Sequence, residues 1–250
     1  MVLDDPVRTY YERNPLMVSS PFGGIGGVNR ELLLDVWRRL DISVTERKIL
    51  DVGCGRGYIG EVVEEHGGEY VGADFVASRT GFRFALADSA RLPFGDKSFD
   101  AVFCIDAFEH FPRPEQAVRE FRRMLRPGGF AFLSTPNYGN VAGIVKLYCE
   151  RSGLYRKDTW APFRHWQPQE LERFLTVRGV RALFREGGFT RLRLIGHPDE
   201  VGLGLFPWIA HPKMSEPVMY RLQRVFGSMG KVVVRLWPGA SLHTFWKIGV

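Results

Sequence analysis

The stretch KILDVGCGRGYIGEVV, Lys48–Val63, limits what this chain can fold into more than any other. Lys48–Val52 is a short apolar run suited to a strand buried on both faces. Gly53, Gly55, Gly57 and Gly60 follow at once, and Tyr58–Glu65 carries helical spacing. A strand that passes through glycines straight into a helix is the first half of a β–α–β unit. The alternation then continues. Glu69–Ala73, Phe82–Ala87, Phe99–Ile105 and Phe130–Ser134 read as further strands. Pro114–Leu125 reads as an amphipathic helix, with proline near its start and RPGG ending it. This order predicts an α/β fold, a doubly wound parallel sheet covered by helices on both faces.

The flanks are also patterned. Arg30–Leu40, RELLLDVWRRL, has apolar residues at helical spacing, with Asn29 as cap and Leu32 to Leu34 and Trp37 turned inward. Pro168–Phe174 and Gly179–Glu186 read as helices, and Phe189–Ile195 and Ser241–Gly249 as strands. No polar linker marks a boundary, so the expectation is a single domain. Its parts are an N-terminal helical lid (1–45), a core (46–196), a helical insertion (197–240) and a last strand (241–250). The chain's 45% hydrophobic and 25% charged residues describe a soluble globular protein. No run reaches the ~18 apolar residues of a membrane span. The start, MVLDDPVRTYYERNP, is acidic and Pro-broken and does not read as a signal peptide. Cys54, Cys104 and Cys149 are odd in number, lack metal-ligand spacing and fit a reducing cytoplasm. Residues 1–150 hold 18 Lys and Arg against 21 Asp and Glu, whereas residues 151–250 hold 16 against 7. The basic C-terminal part is either a solvated surface or the face of an anionic partner.

Two glycine clusters compete for a ligand. In open parallel sheets ligands bind beyond the carboxyl ends of the strands. Gly53, Gly55 and Gly57 stand there, where a Cβ would intrude on a ligand and a helix N-terminus offers N–H groups. Read from Gly55, GRGYIG is a G-x-G-x-x-G match for a nicotinamide enzyme. Read from the strand end, the pattern is D-x-G-x-G-x-G with Asp51 inside. That carboxylate repels a pyrophosphate and suits a cationic amine. Asp74 ends the second strand, where a carboxylate can hold ribose hydroxyls, and Asp88 ends the third, placed to accept from an exocyclic amine. All three acids could instead simply cap turns. The other cluster, FGGIGG within Pro21–Leu32, follows no strand. It is either a surface loop or the hinge of a lid that brings Tyr10 and Tyr11 over the ligand.

ILDVGCGRG, GAD, LADSARLPFGDKSFDAVFCIDAFEHF and LRPGGFAFLSTPN together resemble the successive motifs of class I S-adenosylmethionine-dependent methyltransferases. The branch with quinone-biosynthesis and small-molecule enzymes is the nearest in pattern. The resemblance covers Arg47–Asn137 strongly and Gln167–Gly196 loosely. It implies a Rossmann-like sheet of seven strands, the last antiparallel, and S-adenosyl-L-methionine as cofactor. It also implies that Gly53, Gly55 and Gly57 line the methionine part, with Asp51 supporting the loop and the amine. Asp74 would hold the ribose, Phe75 pack on the adenine, and Asp88 bind the adenine amine with Ser89 beside it. Ile105 would touch the methionine part through its backbone, and Tyr11 would fold over the site. One departure stands out. FVASRTGFRFALA, between Asp74 and Asp88, leaves space for a turn where the family fits a helix. That walls one side of the adenine pocket thinly and puts the role of Phe75 in question.

Methyl transfer from a sulfonium needs an aligned nucleophile and exclusion of water, and no metal. A hydroxyl acceptor also needs a base. His110, in DAFEHF, lies where the acceptor is expected, with Glu109 and Asp106 beside it, and is either that base or a structural histidine. His165, in the aromatic stretch with Tyr155, Trp160, Phe163 and Trp166, is the second candidate. The acceptor reads as small and largely apolar, quinone- or lipid-like, methylated on oxygen or carbon. The alternatives are a nicotinamide-dependent oxidoreductase and a non-catalytic binding scaffold. A nucleic-acid enzyme is not expected, because IDAFEHF replaces an N-P-P-Y-like motif.

Between the sixth strand and the last lies an insertion where the fold needs only a hairpin. Val218, Leu222, Val225, Met229, Val232 and Leu236 recur at steps of three and four, the apolar face of a helix. Arg221, Arg224, Lys231 and Arg235 form a second stripe, and Gly227 and Gly230 weaken the helix midway. VGLGLFPWIA, before it, is apolar enough for an interface. The apolar face either packs on the domain, walls the acceptor pocket, or rests on a membrane through 201–237.

Overall fold

The computed structural model describes residue 9 and residues 30–76, 81–152, 172–210 and 215–250. Tyr11, the FGGIGG cluster, Asn29, His165 and the aromatic stretch around it lie outside these residues.

Seven strands form one sheet. They are β1 (Lys48–Val52), β2 (Glu69–Asp74), β3 (Arg83–Leu86), β4 (Phe99–Ile105), β5 (Leu125–Pro136), β6 (Arg191–Gly196) and β7 (His243–Gly249). The order across the sheet is β3-β2-β1-β4-β5-β7-β6. Pairs among β1 to β5 are parallel, and β7 runs antiparallel between β5 and β6. The sheet is thus mostly parallel with an antiparallel last strand, as the resemblance implied.

Period-two alternation sends side chains into two cores. Ile49, Tyr70, Ala101, Phe103, Phe132 and Phe245 face one side. Helices α1 (Arg30–Leu40) and α2 (Gly60–Glu65) cover them with Leu33, Trp37, Val62 and Val63. Leu50, Val71, Val102, Cys104, Leu133 and Trp246 face the other. There α3 (Pro114–Met124) contributes Val118 and Phe121, and α5 (Val177–Glu186) contributes Val180 and Phe184. Thr176 caps α5 by accepting from the Gly179 N–H at 3.1 Å.

Several expectations are corrected. β5 starts at Leu125, so RPGG lies inside the strand; Gly128, at φ 79°, bends it beside the register shift between Phe99 and Ala101. A helix α4 (Val141–Ser152) follows β5, where none was expected. Glu172–Leu175 is irregular chain, not the end of a helix, because Arg173 N–H is drawn to the Glu109 carbonyl. Between β2 and β3 no helix occurs among the described residues. Phe82 instead fills the place beside Tyr70, with ring centroids 5.2 Å apart, and lies so close that a Cβ on Gly60 would come within 2.7 Å of it.

The insertion carries the largest correction. Its helix α7 (Glu216–Leu236) is continuous through both glycines. Those glycines are its docking face: a Cβ on Gly230 would lie 2.0 Å from the Pro198 carbonyl oxygen, and one on Gly227 2.5 Å from Asp199 Oδ1. Val234 is buried beside them. The expected apolar stripe points away: Val218, Val225, Met229, Val232 and Leu236 are exposed. VGLGLFPWIA also divides. Its first part, helix α6 (Val201–Leu205), is buried from Val201 to Gly204, whereas Phe206 and Trp208 are exposed. No described helix is long and apolar enough to cross a membrane.

Candidate active site

The carboxyl ends of β1, β2, β3, β4 and β5 share one edge of the sheet, and the antiparallel β7 brings its first residue to the same edge. The expected site residues that are described collect there in two groups.

The first group surrounds the glycine loop. Gly53, Gly55 and Gly57 have φ values of 77°, 53° and 75°, a left-handed backbone that side chains other than glycine resist. The loop is clamped to β2 by Gly53 N–H to the Ala73 carbonyl at 2.8 Å and by Gly55 N–H to Asp74 Oδ2 at 2.9 Å. Asp74 Oδ1 accepts from Val76 N–H at 3.0 Å. A carboxylate offers about four lone-pair directions, so Asp74 retains acceptor capacity after both backbone bonds. Asp51 is buried, and Tyr70 donates to its Oδ2 at 2.7 Å. Among the described residues its Oδ1 has no hydrogen-bond partner. Burial pushes the Asp51 carboxyl up to about 7 and that of Asp74 upward as well. A buried carboxylate oxygen without a partner, at the head of a backbone that excludes Cβ atoms, suits a ligand bearing a cationic amine.

Helix α2 starts at Gly60, two residues later than the sequence suggests, with turns between Gly55 and Ile59. Phe75 and Ser89 are half-buried at the ends of β2 and β3. Asp88 is more engaged than expected. Its Oδ1 accepts from Ala90 N–H at 2.8 Å, and its Oδ2 pairs with Arg113. Turn-capping and ligand-binding readings therefore meet at Asp74 and Asp88, while Asp51 caps no turn. Arg83 and Leu86 on β3 are exposed.

The second group lies past β4 and β5. Ile105 ends β4, and Asp106 follows with φ 50°, a strained conformation for a residue with a side chain. Its N–H reaches Ser134 Oγ at 3.1 Å, and Ser134 in turn donates to Asp106 Oδ1. His243, the first residue of β7, places Nε2 2.6 Å from the same Oδ1 and Nδ1 3.6 Å from Glu200 Oε2. Burial opposes a charge on His243, but the carboxylates of Asp106 and Glu200 outweigh it and push the imidazole up to about 10. Asp106 is correspondingly lowered, burial being overcome by His243. Glu200 is pushed up to about 7, mainly by burial.

Glu109 and His110 are buried on the short turn after β4, His110 Nε2 lying 3.6 Å from Glu109 Oε1. Thr135 Oγ1 donates to Glu109 Oε2 at 3.3 Å. Burial and the nearby Asp106 push Glu109 up to about 8. Lys146 of α4 pairs with Glu172 at 3.2 Å, both almost buried. Sequence reasoning missed His243, Ser134, Glu200, Lys146 and Glu172. The one available signal was a histidine opening the last strand in SLHTFW, at the end where the site lies.

Comparison with known proteins places the chain in a family. The profile of a methyltransferase domain family matches residues 50–133. A demethylmenaquinone methyltransferase of Deinococcus radiodurans is 30% identical over 194 residues, 63% of this chain and 80% of that protein. A ubiquinone biosynthesis O-methyltransferase of Pseudomonas entomophila is 30% identical over 201 residues, 73% of this chain and 78% of that protein. The crystal structure of a SAM-dependent methyltransferase from Archaeoglobus fulgidus has the same fold, with a TM-score of 0.56 and 17% identity over 88% of this chain and 94% of that one. These relatives set aside the oxidoreductase reading of GRGYIG and the non-catalytic scaffold. Motifs, strand order and relatives converge: the chain belongs to the S-adenosylmethionine-dependent methyltransferases and is an enzyme of that class.

Proposed function

We propose that the enzyme transfers a methyl group from S-adenosyl-L-methionine to a small, largely apolar acceptor, quinone- or lipid-like, on oxygen or carbon. The observation that carries the cofactor assignment is the buried Oδ1 of Asp51, without a partner among the described residues, beside three left-handed glycines. In this reading Asp51 receives the cationic amine and Gly53, Gly55 and Gly57 admit the methionine part. Asp74 uses its remaining lone pairs for the ribose, while Phe75, Asp88 and Ser89 border the adenine and Ile105 the methionine part. Tyr11 keeps its proposed role as a cover. The bound cofactor supplies an electrophilic methyl group, and the protein contributes alignment and dryness.

The acceptor is assigned to the far side of Ile105, over Asp106, Glu109 and His110. Relatives named for quinone substrates support an acceptor of that kind. His110 is the proposed proton acceptor for a hydroxyl, with Glu109 Oε1 3.6 Å from its Nε2. His165 is the second candidate. Asp106 and His243 neutralise each other and fix the turn that carries Glu109 and His110. The test is transfer of labelled methyl from S-adenosylmethionine to a demethylated quinol analogue by the wild type and by His110→Ala. The variant should lose ~10²–10⁴-fold in turnover with cofactor affinity kept. A loss below tenfold removes His110 from the role, and failure to bind S-adenosylhomocysteine overturns the cofactor assignment itself.

A further inference from the structure

Helix α7 is solvated on the wrong side for a globular protein. Successive residues turn by about 100° around a helix. Gly227, Gly230 and Val234 therefore share one face, and they are the buried ones among the described side chains of the helix. Val218, Val225, Met229, Val232 and Leu236 share a face roughly opposite, on the same geometry. Their relative exposures run from 46% for Val218 to 85% for Leu236. A surface helix normally puts polar residues there. Here the protein uses a narrow glycine seam for docking and leaves the broad aliphatic stripe outward.

The surroundings of the stripe identify what it meets. Arg221, Arg224, Lys231 and Arg235 are all exposed and run along one margin of the stripe. On the other side Phe226 stacks on Phe206, centroids 5.1 Å apart, and Phe206 touches Trp208 at 5.5 Å. Both Phe206 and Trp208 are exposed, as is Trp237 at the end of α7. No acidic residue occurs from Pro217 to Trp237. Two copies packed through this face would therefore bring unrelieved cations side by side. An aliphatic stripe with a basic margin and aromatic rings at its borders matches an anionic lipid surface, with the stripe in the acyl boundary and the cations at the headgroups. No described helix is long and apolar enough to cross a bilayer, so a helix of this kind meets a membrane by lying in the plane of the interface.

We propose that α7, with Phe206 and Trp208, docks the enzyme on an anionic membrane leaflet. This goes beyond the methyl-transfer assignment and does not depend on the identity of the acceptor.

The test is flotation of the full chain with vesicles of phosphatidylglycerol and phosphatidylcholine, compared with phosphatidylcholine alone. The protein should float with the anionic vesicles at low salt and be released at high salt. A Val225→Ser, Met229→Ser, Val232→Ser variant should partition at least about tenfold less, and so should Arg221→Glu with Arg224→Glu. Both variants change exposed side chains, and an unaltered melting temperature with unaltered S-adenosylhomocysteine binding confirms that they fold. In a separate Met229→Cys variant, a fluorophore on the cysteine should shift to the blue on anionic vesicles. Absence of flotation at low salt overturns the proposal, as does flotation that both multiple variants retain. A lipid-free dimer that the serine variant dissolves also overturns it, because the stripe then serves a second copy.

Discussion

Replacing His243 by glutamine removes a buried imidazolium from between Asp106 and Glu200. In the wild type Nε2 lies 2.6 Å from Asp106 Oδ1, and Nδ1 lies 3.6 Å from Glu200 Oε2. Glutamine can still donate one hydrogen bond to Asp106, and Ser134 still donates a second. The lost charge nevertheless leaves two buried carboxylates facing each other. Breaking a buried pair costs about 3–5 kcal/mol, and the retained donor places this variant near the lower end, about 3 kcal/mol at pH 6.5. The loss depends on pH in a stated direction. His243 is raised to about 10 when folded, so its contribution is complete below its unfolded value near 6.5 and fades as pH rises toward 10. Glu200, already raised to about 7, climbs further once the cation is gone. Protonation of Glu200 relieves part of its repulsion with Asp106 and keeps the loss at the lower end. Urea unfolding of both proteins at pH 6.5 and pH 9.5 measures the effect. The variant should fall well below the wild type at pH 6.5, and the deficit should narrow by pH 9.5, because the wild type gives up the His243 charge over that range at up to about 1.4 kcal/mol per pH unit. A difference below about 1 kcal/mol at pH 6.5, or a deficit that widens as pH rises, refutes a charged His243 between two carboxylates.

Three further outcomes are expected. Asp74→Ala should weaken S-adenosylhomocysteine binding by about 1–3 kcal/mol in calorimetry, since charged hydrogen bonds to the ribose are lost along with the clamp on Gly55; unchanged affinity in a folded variant removes Asp74 from the site. Asp51 is held near 7, and a cationic amine needs its ionised form, so affinity should fall by up to about tenfold per pH unit below 7. Asp51→Asn should flatten that profile, and a flat wild-type profile contradicts the pairing. Gly230→Ala should lower the thermal midpoint, because its Cβ would meet the Pro198 carbonyl oxygen at 2.0 Å and overpacking costs about 1–3 kcal/mol. A raised midpoint, the usual helix response to Gly→Ala, would show that α7 is not seated through this seam.

The strands were legible wherever apolar runs were short and bounded by glycine or acid. Lys48–Val52 and Phe99–Ile105 coincide with the observed strands. The misplaced start of β5 has a physical origin: Leu125 pairs with Phe99 before the register shift, a long-range contact that outweighs the stop signal in RPGG. Helix α4 escaped notice because VAGIVKLYCERS is apolar on more than one side and gives little periodicity. The loop glycines, Asp51, Asp74 and His110 were found because motif spacing is local. The Asp106–His243 contact joins residues 137 apart and has no local signature. For α7, spacing identified an apolar stripe but not which side the domain would take. The two glycines looked like weak points, when their lack of a Cβ is what lets the Pro198–Glu200 turn approach.

Chain order gives β7 a particular place in the timing of assembly. It follows in sequence every strand it touches, yet it separates β5 from β6 and pairs with both. While the polypeptide emerges, β1 to β5 can pair as they arrive and the glycine loop can settle on β2. β6 must wait beside an open groove with nothing to join. When His243–Gly249 slides into that groove, the same event zips two antiparallel ladders and delivers the imidazole to Asp106 and Glu200. Until then two carboxylates stand without their cation, so a nascent chain short of its last strand carries a settled glycine loop and an unfinished cluster beyond β4.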